Sequence, residues 1–464
     1  MLSLFIETRI DMQLDKVKYR APDLARIIPD SVLAQLATQT NVDYYCKVLS
    51  GERMFHLLLY AFVMSDRTSQ RKIEAIFSSE QFVRLFGYAD LKVSHSSIST
   101  RLSKMNVEFF EKAYEYLYDK MSALYTEKEL LGKQLIRVDS SMVAETCNKL
   151  QKGFTVGAKP KHGEPRKLVK YTMGYDGFAV RLADIFSEPT YLSEDVAMPS
   201  LVSRMVKADK NHANVYVLDR GLQATYNFED MSASGACFIG RLRTNSKKET
   251  VQSLLQDGSD KDLGKLELLE DEEVRLFDNA SNSYTERTYR AIRAKFKIPR
   301  DTTRPNNKGK VPRTENEVVF ITNNFELSAK EVAEAYRRRW DIEVFFRFLK
   351  QELNFSHFLS VNENGMRIVL YMTLITAIMI MIYKKQNEVG YSDAKFAFRL
   401  EMADYITALS IHLSGGDVTT FTHRYTIRDK ADICPEKSFD HSWFLSRFFC
   451  LLLYGTLYIN ISVG

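Results

Sequence analysis

Tryptophan is nearly missing from this sequence: Trp340 and Trp443 are the two, so any role that needs an indole falls on one of them. Cysteine is also scarce. Cys46, Cys147, Cys237, Cys434 and Cys450 are scattered with no C-x-x-C pair. That excludes a zinc site of paired cysteines and fits reduced thiols in a cytoplasm. No apolar run reads as an ordinary membrane span. The longest, Ile368 to Tyr383 (IVLYMTLITAIMIMIY), falls short of the ~18–20 residues that are needed and carries two threonines. It is expected to be a buried core helix. Phe448 to Ile459 is apolar too, but Gly455 breaks it. The opening MLSLFIETRIDMQ is too short and too acidic for a signal peptide. There is no internal repeat and no long low-complexity stretch. Excess charge is small: a net of +5 permits a nucleic-acid partner without arguing for one, so local clustering has to do that.

What is present is an ordinary globular composition, 45% hydrophobic and 27% charged, over 464 residues, which is enough for more than one domain. Residues 1 to about 130 read as helical. Ser31–Gln39, Arg53–Met64, Ser69–Phe77 and Val107–Leu124 carry apolar residues at helical spacing. The hydroxyl-rich stretch Ser94–Lys104 is either a capped helix entry or the start of a helix that faces phosphates.

The character changes at Gly132. Gln134–Ser141 reads as a short buried strand that delivers Asp139 to its C-terminal end. Tyr171–Tyr175 and Phe178–Ile185 flank Asp176-Gly177, a hairpin signal. A helix is expected over Ala197–Ala208, and a second buried strand over Asn214–Leu218, followed by Asp219. Leu222–Met231 is expected to be helical and Ala236–Leu242 a strand. Arg243 to about Asn324 shows short alternating segments and reads as a β-rich insertion, with Lys297–Arg313 a basic loop. This order of elements is an α/β pattern of the RNase H-like kind. Ligands in open α/β sheets sit beyond the carboxyl ends of strands, where both aspartates lie.

Lys330 to Asn354 (KEVAEAYRRRWDIEVFFRFLKQELN) has no Pro or Gly and is rich in good helix formers, with Ser328 as cap and Glu331 three residues on. On one continuous helix, with Tyr336 at zero, Arg339 falls near ~300°, Glu343 near ~340° and Lys350 near ~320°. A phenol, a guanidinium, a carboxylate and an ammonium then share one stripe. Arg339–Glu343 and Glu343–Arg347 could be no more than i,i+4 pairs on a solvated face. Alternatively Glu343 holds a divalent metal while Tyr336, Arg339 and Lys350 hold phosphates, which requires carboxylates from elsewhere.

Asp139, Asp219 and Glu343 supply such a set. With them the chain resembles a bacterial insertion-sequence transposase of the DDE superfamily, of the IS-four type with the Y-(2)-R-(3)-E-(6)-K signature. Here the signature is Tyr336, Arg339, Glu343 and Lys350 with every spacing intact, and the aspartate blocks are Val138-Asp139-Ser140-Ser141 and Leu218-Asp219-Arg220-Gly221. The resemblance covers roughly residues 130 to 385. It implies that Asp139, Asp219 and Glu343 are catalytic and hold two Mg²⁺ or Mn²⁺ ions. It implies cutting at transposon ends and joining of the 3′-OH to target DNA, both by in-line attack on a phosphodiester. Tyr336, Arg339 and Lys350 would contact double-stranded DNA, and two subunits would pair two DNA ends.

Arg241 and Arg243, at the end of the last core strand, are further expected DNA contacts. The run Lys149, Lys152, Lys159, Lys161, Arg166, Lys167 and Lys170 is either a solvated face or a DNA-backbone contact, with Lys167 the member carried forward. Trp340 is expected to be a core aromatic rather than a platform at the DNA end. The expected organisation is a helical, DNA-binding domain over 1–130, core over 131–243, insertion over 244–324, core over 325–390 and a helical region over 391–464 that pairs subunits. The aromatic tail Asp432–Gly464 matches no motif. The protein is expected in the cytoplasm on the nucleoid, without a membrane. The alternatives are a transposase-derived DNA-binding protein without catalysis and a metal-dependent nuclease that lacks strand transfer.

Overall fold

A ten-stranded sheet with helices on its faces organises the computed structural model, which describes residues 19–88, 91–145, 150, 152–155, 166–255, 261–301 and 314–417. The tail Asp432–Gly464, Trp443, Lys149, Lys159, Lys161 and most of the basic loop Lys297–Arg313 lie outside the described residues.

Seven helices come first among the described residues: α1 (Ala21–Ala25), α2 (Asp30–Thr40), α3 (Gly51–Met64), α4 (Gln70–Phe77), α5 (Glu80–Phe86), α6 (His95–Lys104) and α7 (Glu108–Tyr125). Serine starts four of them. Ser50, Ser69, Ser79 and Ser94 each accept a hydrogen bond from a backbone N–H in the first turn, satisfying a donor the helix itself leaves open. Ser94 therefore caps α6. Arg101 on α6 is spent on the carbonyls of Leu49 and Val42, at 2.8 and 2.7 Å.

The sheet follows. β1 (Gln134–Ala144), β2 (Leu168–Tyr175) and β3 (Val180–Phe186) form an antiparallel meander. Gly177 turns the β2–β3 hairpin at φ +94°, a left-handed value that favours glycine. Asp176 accepts the N–H groups of Phe178 and Ala179 at 2.8 and 2.7 Å, which closes the turn. α8 (Glu194–Ala208) crosses to β4 (Asn214–Leu218), and α9 (Thr225–Ala233) to β5 (Cys237–Leu242). β1, β4 and β5 are parallel. The order β3-β2-β1-β4-β5, with three antiparallel and then parallel strands and crossover helices, is the RNase H-like arrangement.

β6 (Lys248–Ser253), β7 (Leu266–Asp278), β8 (Ser283–Tyr284), β9 (Tyr289–Asp301) and β10 (Thr314–Thr322) make up the inserted region. It extends the same sheet, because β10 pairs antiparallel with β5 and β9 with β10. α10 (Ala329–Arg337), α11 (Trp340–Glu352), α12 (Glu363–Asn387) and α13 (Tyr391–Leu413) complete the described chain.

α12 contains the apolar run. It is long and apolar enough to cross a membrane, but 83% of its apolar window is buried inside the protein, packed against α3, α6, α7 and α13. A single core runs through the early helices, α11 to α13, and the outer faces of β2 and β3. The helices before and after the sheet thus share apolar contacts.

Candidate active site

The register of the parallel strands places the two aspartates together. Val138 is paired with Leu218, and there the β1–β4 ladder ends. Asp139 and Asp219 are each the next residue. β1 does not stop at Ser141 as its sequence suggests; past Asp139 it runs on to Ala144 against β2 alone. The parting of β1 from β4 therefore opens the crevice, as ligand sites in α/β sheets require.

The third carboxylate arrives on a broken helix. Lys330–Asn354 is not one continuous helix: Arg338 and Arg339 form a turn between α10 and α11. Around the break, hydrogen bonds span three residues instead of four, from Arg339 N to Tyr336 O and from Ile342 N to Arg339 O. β1 is bolted to this turn. Arg137 is buried, donates to Glu129 at 2.7 and 2.8 Å, and reaches the Arg338 carbonyl at 3.4 Å and Asp341 at 3.2 Å. Glu129 also binds Arg338. The clamp turns Arg339 and the first turn of α11 toward the aspartates.

Arg339 collects all three acids. Its Nη1 lies 3.1 Å from Asp139 Oδ2 and 3.2 Å from Asp219 Oδ1, and its Nη2 pairs with Glu343 Oε1. Burial, with repulsion from Asp219, pushes the Asp139 carboxyl up to about 7, although Arg339 and the Ser140 N–H pull it down. Burial alone would lower the Arg339 guanidinium, but Asp219 and Asp139 outweigh it and hold the group firmly charged. One cation thus faces three carboxylates, which leaves two formal negative charges. Such a set of hard oxygens in a partly desolvated crevice fits a divalent cation, and Asp139, Asp219 and Glu343 are the residues that would hold it.

The other residues singled out in the sequence take varied places. Tyr336 packs its ring 5.3 Å from Phe320, with the Arg339 guanidinium over it at 5.9 Å. Burial chiefly pushes its phenol up to about 12, so it remains a hydrogen-bond donor. Lys350 stands near the far end of β1 and donates to the Met142 carbonyl at 3.3 Å; burial lowers its pKa. Arg241 lines a cleft of about 840 Å³ beside the carboxylates, with Asp219, Arg220, Tyr336, Arg339 and Trp340. Arg243 is exposed at the end of β5. Lys167 donates to the Leu150 carbonyl at 2.7 Å.

Two expectations need correction. Trp340 is not a core aromatic: it is 52% exposed at the mouth of this cleft, because the break before it rotates the first residue of α11 outward. Lys170 does not lie on a solvated face. It is fully buried on β2 and paired with Glu194 at 2.9 Å. Glu194 went unnoticed because α8 begins at Glu194, one turn before the expected Ala197, with Ser193 as its cap. The signal was there in Ser193 followed by two acids, the usual composition of a helix start.

A second group of potential ligands, Asp30, Glu52 and His56, belongs to α2 and α3, apart from this crevice. There the His56 ring bonds Tyr88 through Nδ1 at 2.6 Å, and burial, with Arg26 nearby, lowers its pKa to about 3.

The family model described as "Transposase DDE domain" matches residues 132–379, more than half of the chain. A probable transposase for insertion sequence element IS5377 from Geobacillus stearothermophilus is 34% identical over 87 residues, 18% of this chain and 23% of the relative. A putative transposase y4zB from Sinorhizobium fredii is 30% identical over 79 residues, 17% of this chain and 22% of the relative. The matches therefore span less than a quarter of those relatives' length. Among solved structures, a cryo-EM structure of the piggyBac transposase synaptic complex with hairpin DNA aligns at a TM-score of 0.43 and 9% identity, over 87% of this chain and 83% of that one. The family model carries the assignment: the chain belongs to the transposase DDE-domain family.

Proposed function

We propose that this protein is a DDE transposase that cuts DNA at the ends of an insertion sequence and joins the freed 3′-OH to target DNA. Asp139, Asp219 and Glu343 are its catalytic residues and hold two Mg²⁺ or Mn²⁺ ions. The observation that carries this reading is the convergence of the three carboxylates on the single guanidinium of Arg339. When bound, the ions activate the attacking oxygen, stabilise the leaving oxygen and neutralise phosphate charge.

The chain's own residues bind and orient the DNA end. Arg339 shares its carboxylate partners with any bound cation, so its donors become available to a phosphate, and Tyr336 beside it donates a hydrogen bond. Arg241, Arg243, Lys350 and Lys167 are further candidates for backbone contact. Trp340, exposed at the cleft, offers a face on which an extruded base can stack. Two subunits pair the two ends, in the cytoplasm on the nucleoid.

A strand-transfer assay tests the proposal. Protein is mixed with Mg²⁺, supercoiled target and a labelled duplex carrying the inverted repeat that flanks this reading frame. Label joined to target, and lost in Asp139→Ala, is the expected result. Cleavage without joining in the wild type indicates a nuclease instead. Binding with neither indicates a DNA-binding derivative.

A further inference from the structure

A fourth acid, outside the signature, touches the supports of both aspartates. Glu194 opens α8. Its Oε2 accepts from the Ser140 hydroxyl at 2.8 Å and its Oε1 from Lys170 Nζ at 2.9 Å. Ser140 follows Asp139 in β1. Its N–H holds Asp139 Oδ1 at 2.7 Å, and its hydroxyl also meets Thr172 Oγ1 at 2.9 Å. Lys170 is fully buried and donates to the Leu192 carbonyl at 2.7 Å as well. A buried ammonium is tolerated only with partners, so Glu194 cannot swing away without stranding a charge.

The same turn reaches the other aspartate. The Gly221 N–H donates to Asp219 Oδ2 at 2.9 Å. A β-carbon on Gly221 would stand 2.6 Å from Glu194 Cγ, so the Glu194 stem is packed against the Asp219 loop. Asp195 secures the rest of that loop by accepting the N–H groups of Gln223 and Ala224, both at 2.7 Å. Pro199 has no N–H to offer the Asp195 carbonyl four residues back, and Asn227 Nδ2 takes that carbonyl at 2.9 Å instead. The irregular first turn of α8 is thereby tied to α9.

Building on the reading of Asp139, Asp219 and Glu343 as metal ligands, we propose that Glu194 is a positioning residue. Through Ser140 and Gly221 it sets the spacing of Asp139 and Asp219, and so the affinity of the site for a divalent ion. Both oxygens of Glu194 are engaged by Lys170 and Ser140, so it acts through its neighbours and not as a ligand. Groups that orient metal ligands typically contribute about 10–100-fold to affinity.

The test uses the full chain without DNA and measures Mn²⁺ binding by calorimetry and melting in EDTA. Ser140→Ala removes the hydroxyl that joins Glu194, and Thr172, to the strand carrying Asp139 while keeping the Ser140 N–H on Asp139, and Glu194→Gln removes the charge that anchors it. Each is expected to weaken Mn²⁺ binding about tenfold. Ser140→Ala should melt as the wild type does in EDTA, which a merely structural role would not combine with lost affinity. Wild-type Mn²⁺ affinity in Ser140→Ala, with binding lost in Asp139→Ala, overturns the proposal and spares the metal site. Wild-type affinity in Asp139→Ala removes the metal site on which the proposal stands. If Glu194→Gln does not fold, Ser140→Ala alone decides.

Discussion

Arg290 and Arg339 both meet carboxylates in largely buried surroundings, and they do different things. Arg290 on β9 faces Asp271 on β7 through two parallel bonds, at 2.8 and 2.6 Å, and gives its remaining terminal nitrogen to the Leu327 carbonyl. One positive charge meets one negative charge, with the planar fork geometry that suits such a pair. Arg339 meets Asp139, Asp219 and Glu343 together. The residue types are the same, but the second arrangement is short of two positive charges. The first is complete as a structural element. The second asks for a cation, and stoichiometry rather than proximity tells them apart.

The largest expected effect tests that distinction directly. Arg290→Ala leaves Asp271 buried and unpaired, which costs on the order of 3–5 kcal/mol of stability. Mn²⁺ should not restore it. Arg339→Ala also leaves acids behind, but these face a crevice and can hold a divalent ion in place of the guanidinium. Urea unfolding with and without Mn²⁺ should therefore show rescue of Arg339→Ala alone. Equal rescue of both variants, or of neither, would remove the contrast between the two sites.

The sequence displayed one half of this contrast and hid the other. Asp139, Asp219 and Glu343 were legible because strand ends and an intact signature spacing are local patterns. The order of the core elements was legible for the same reason. Arg290 and Asp271 are 19 residues apart on alternating, charged strands. Nothing in such a run says which pair will be buried. The inserted strands read as a separate unit because pairing between β10 and β5 is non-local. The helix break at Arg338–Arg339 was invisible too, since no Pro or Gly marks it; its partners, Arg137 and Glu129, lie about two hundred residues away. The same break turns Trp340 out to solvent, and Lys170 sits in a run of cations that looks solvated until its partner Glu194 is known.

A smaller effect should appear with pH. In the absence of metal the folded protein keeps Asp139 protonated up to about 7, whereas the unfolded chain releases that proton near the ordinary carboxylate value of about 4. Between those values the folded state binds more protons, so this site makes stability fall as pH rises. Below about 4 the penalty is absent, and above about 7 it is complete. Asp139→Asn should remove this slope, and saturating Mn²⁺ should too, since a ligated carboxylate carries no proton. Melting in EDTA across pH 5 to 8 checks the sign. A wild-type curve parallel to that of Asp139→Asn would mean that the crevice is not overloaded with acid.

The smallest effect concerns DNA, and it asks whether Arg339 differs from Arg290 in partner as well as in charge balance. A cation that binds a phosphate releases a counterion, so its loss lowers the slope of log affinity against log salt by about one. Anisotropy of a labelled, pre-cleaved transposon end, titrated at several salt concentrations with saturating Mn²⁺ to take up the carboxylates that otherwise hold Arg339, should show this loss for Arg339→Ala. Arg290→Ala should leave the slope unchanged, because its guanidinium is already committed to Asp271 and Leu327. Lys350→Ala should fall between them. Its ammonium is half-buried and held by the Met142 carbonyl, a neutral partner that a phosphate can displace more easily than a carboxylate. If Lys350→Ala matched Arg290→Ala, Lys350 would count among the structural cations, and the phosphate-binding side of the site would rest on Arg339 and its neighbours in the cleft.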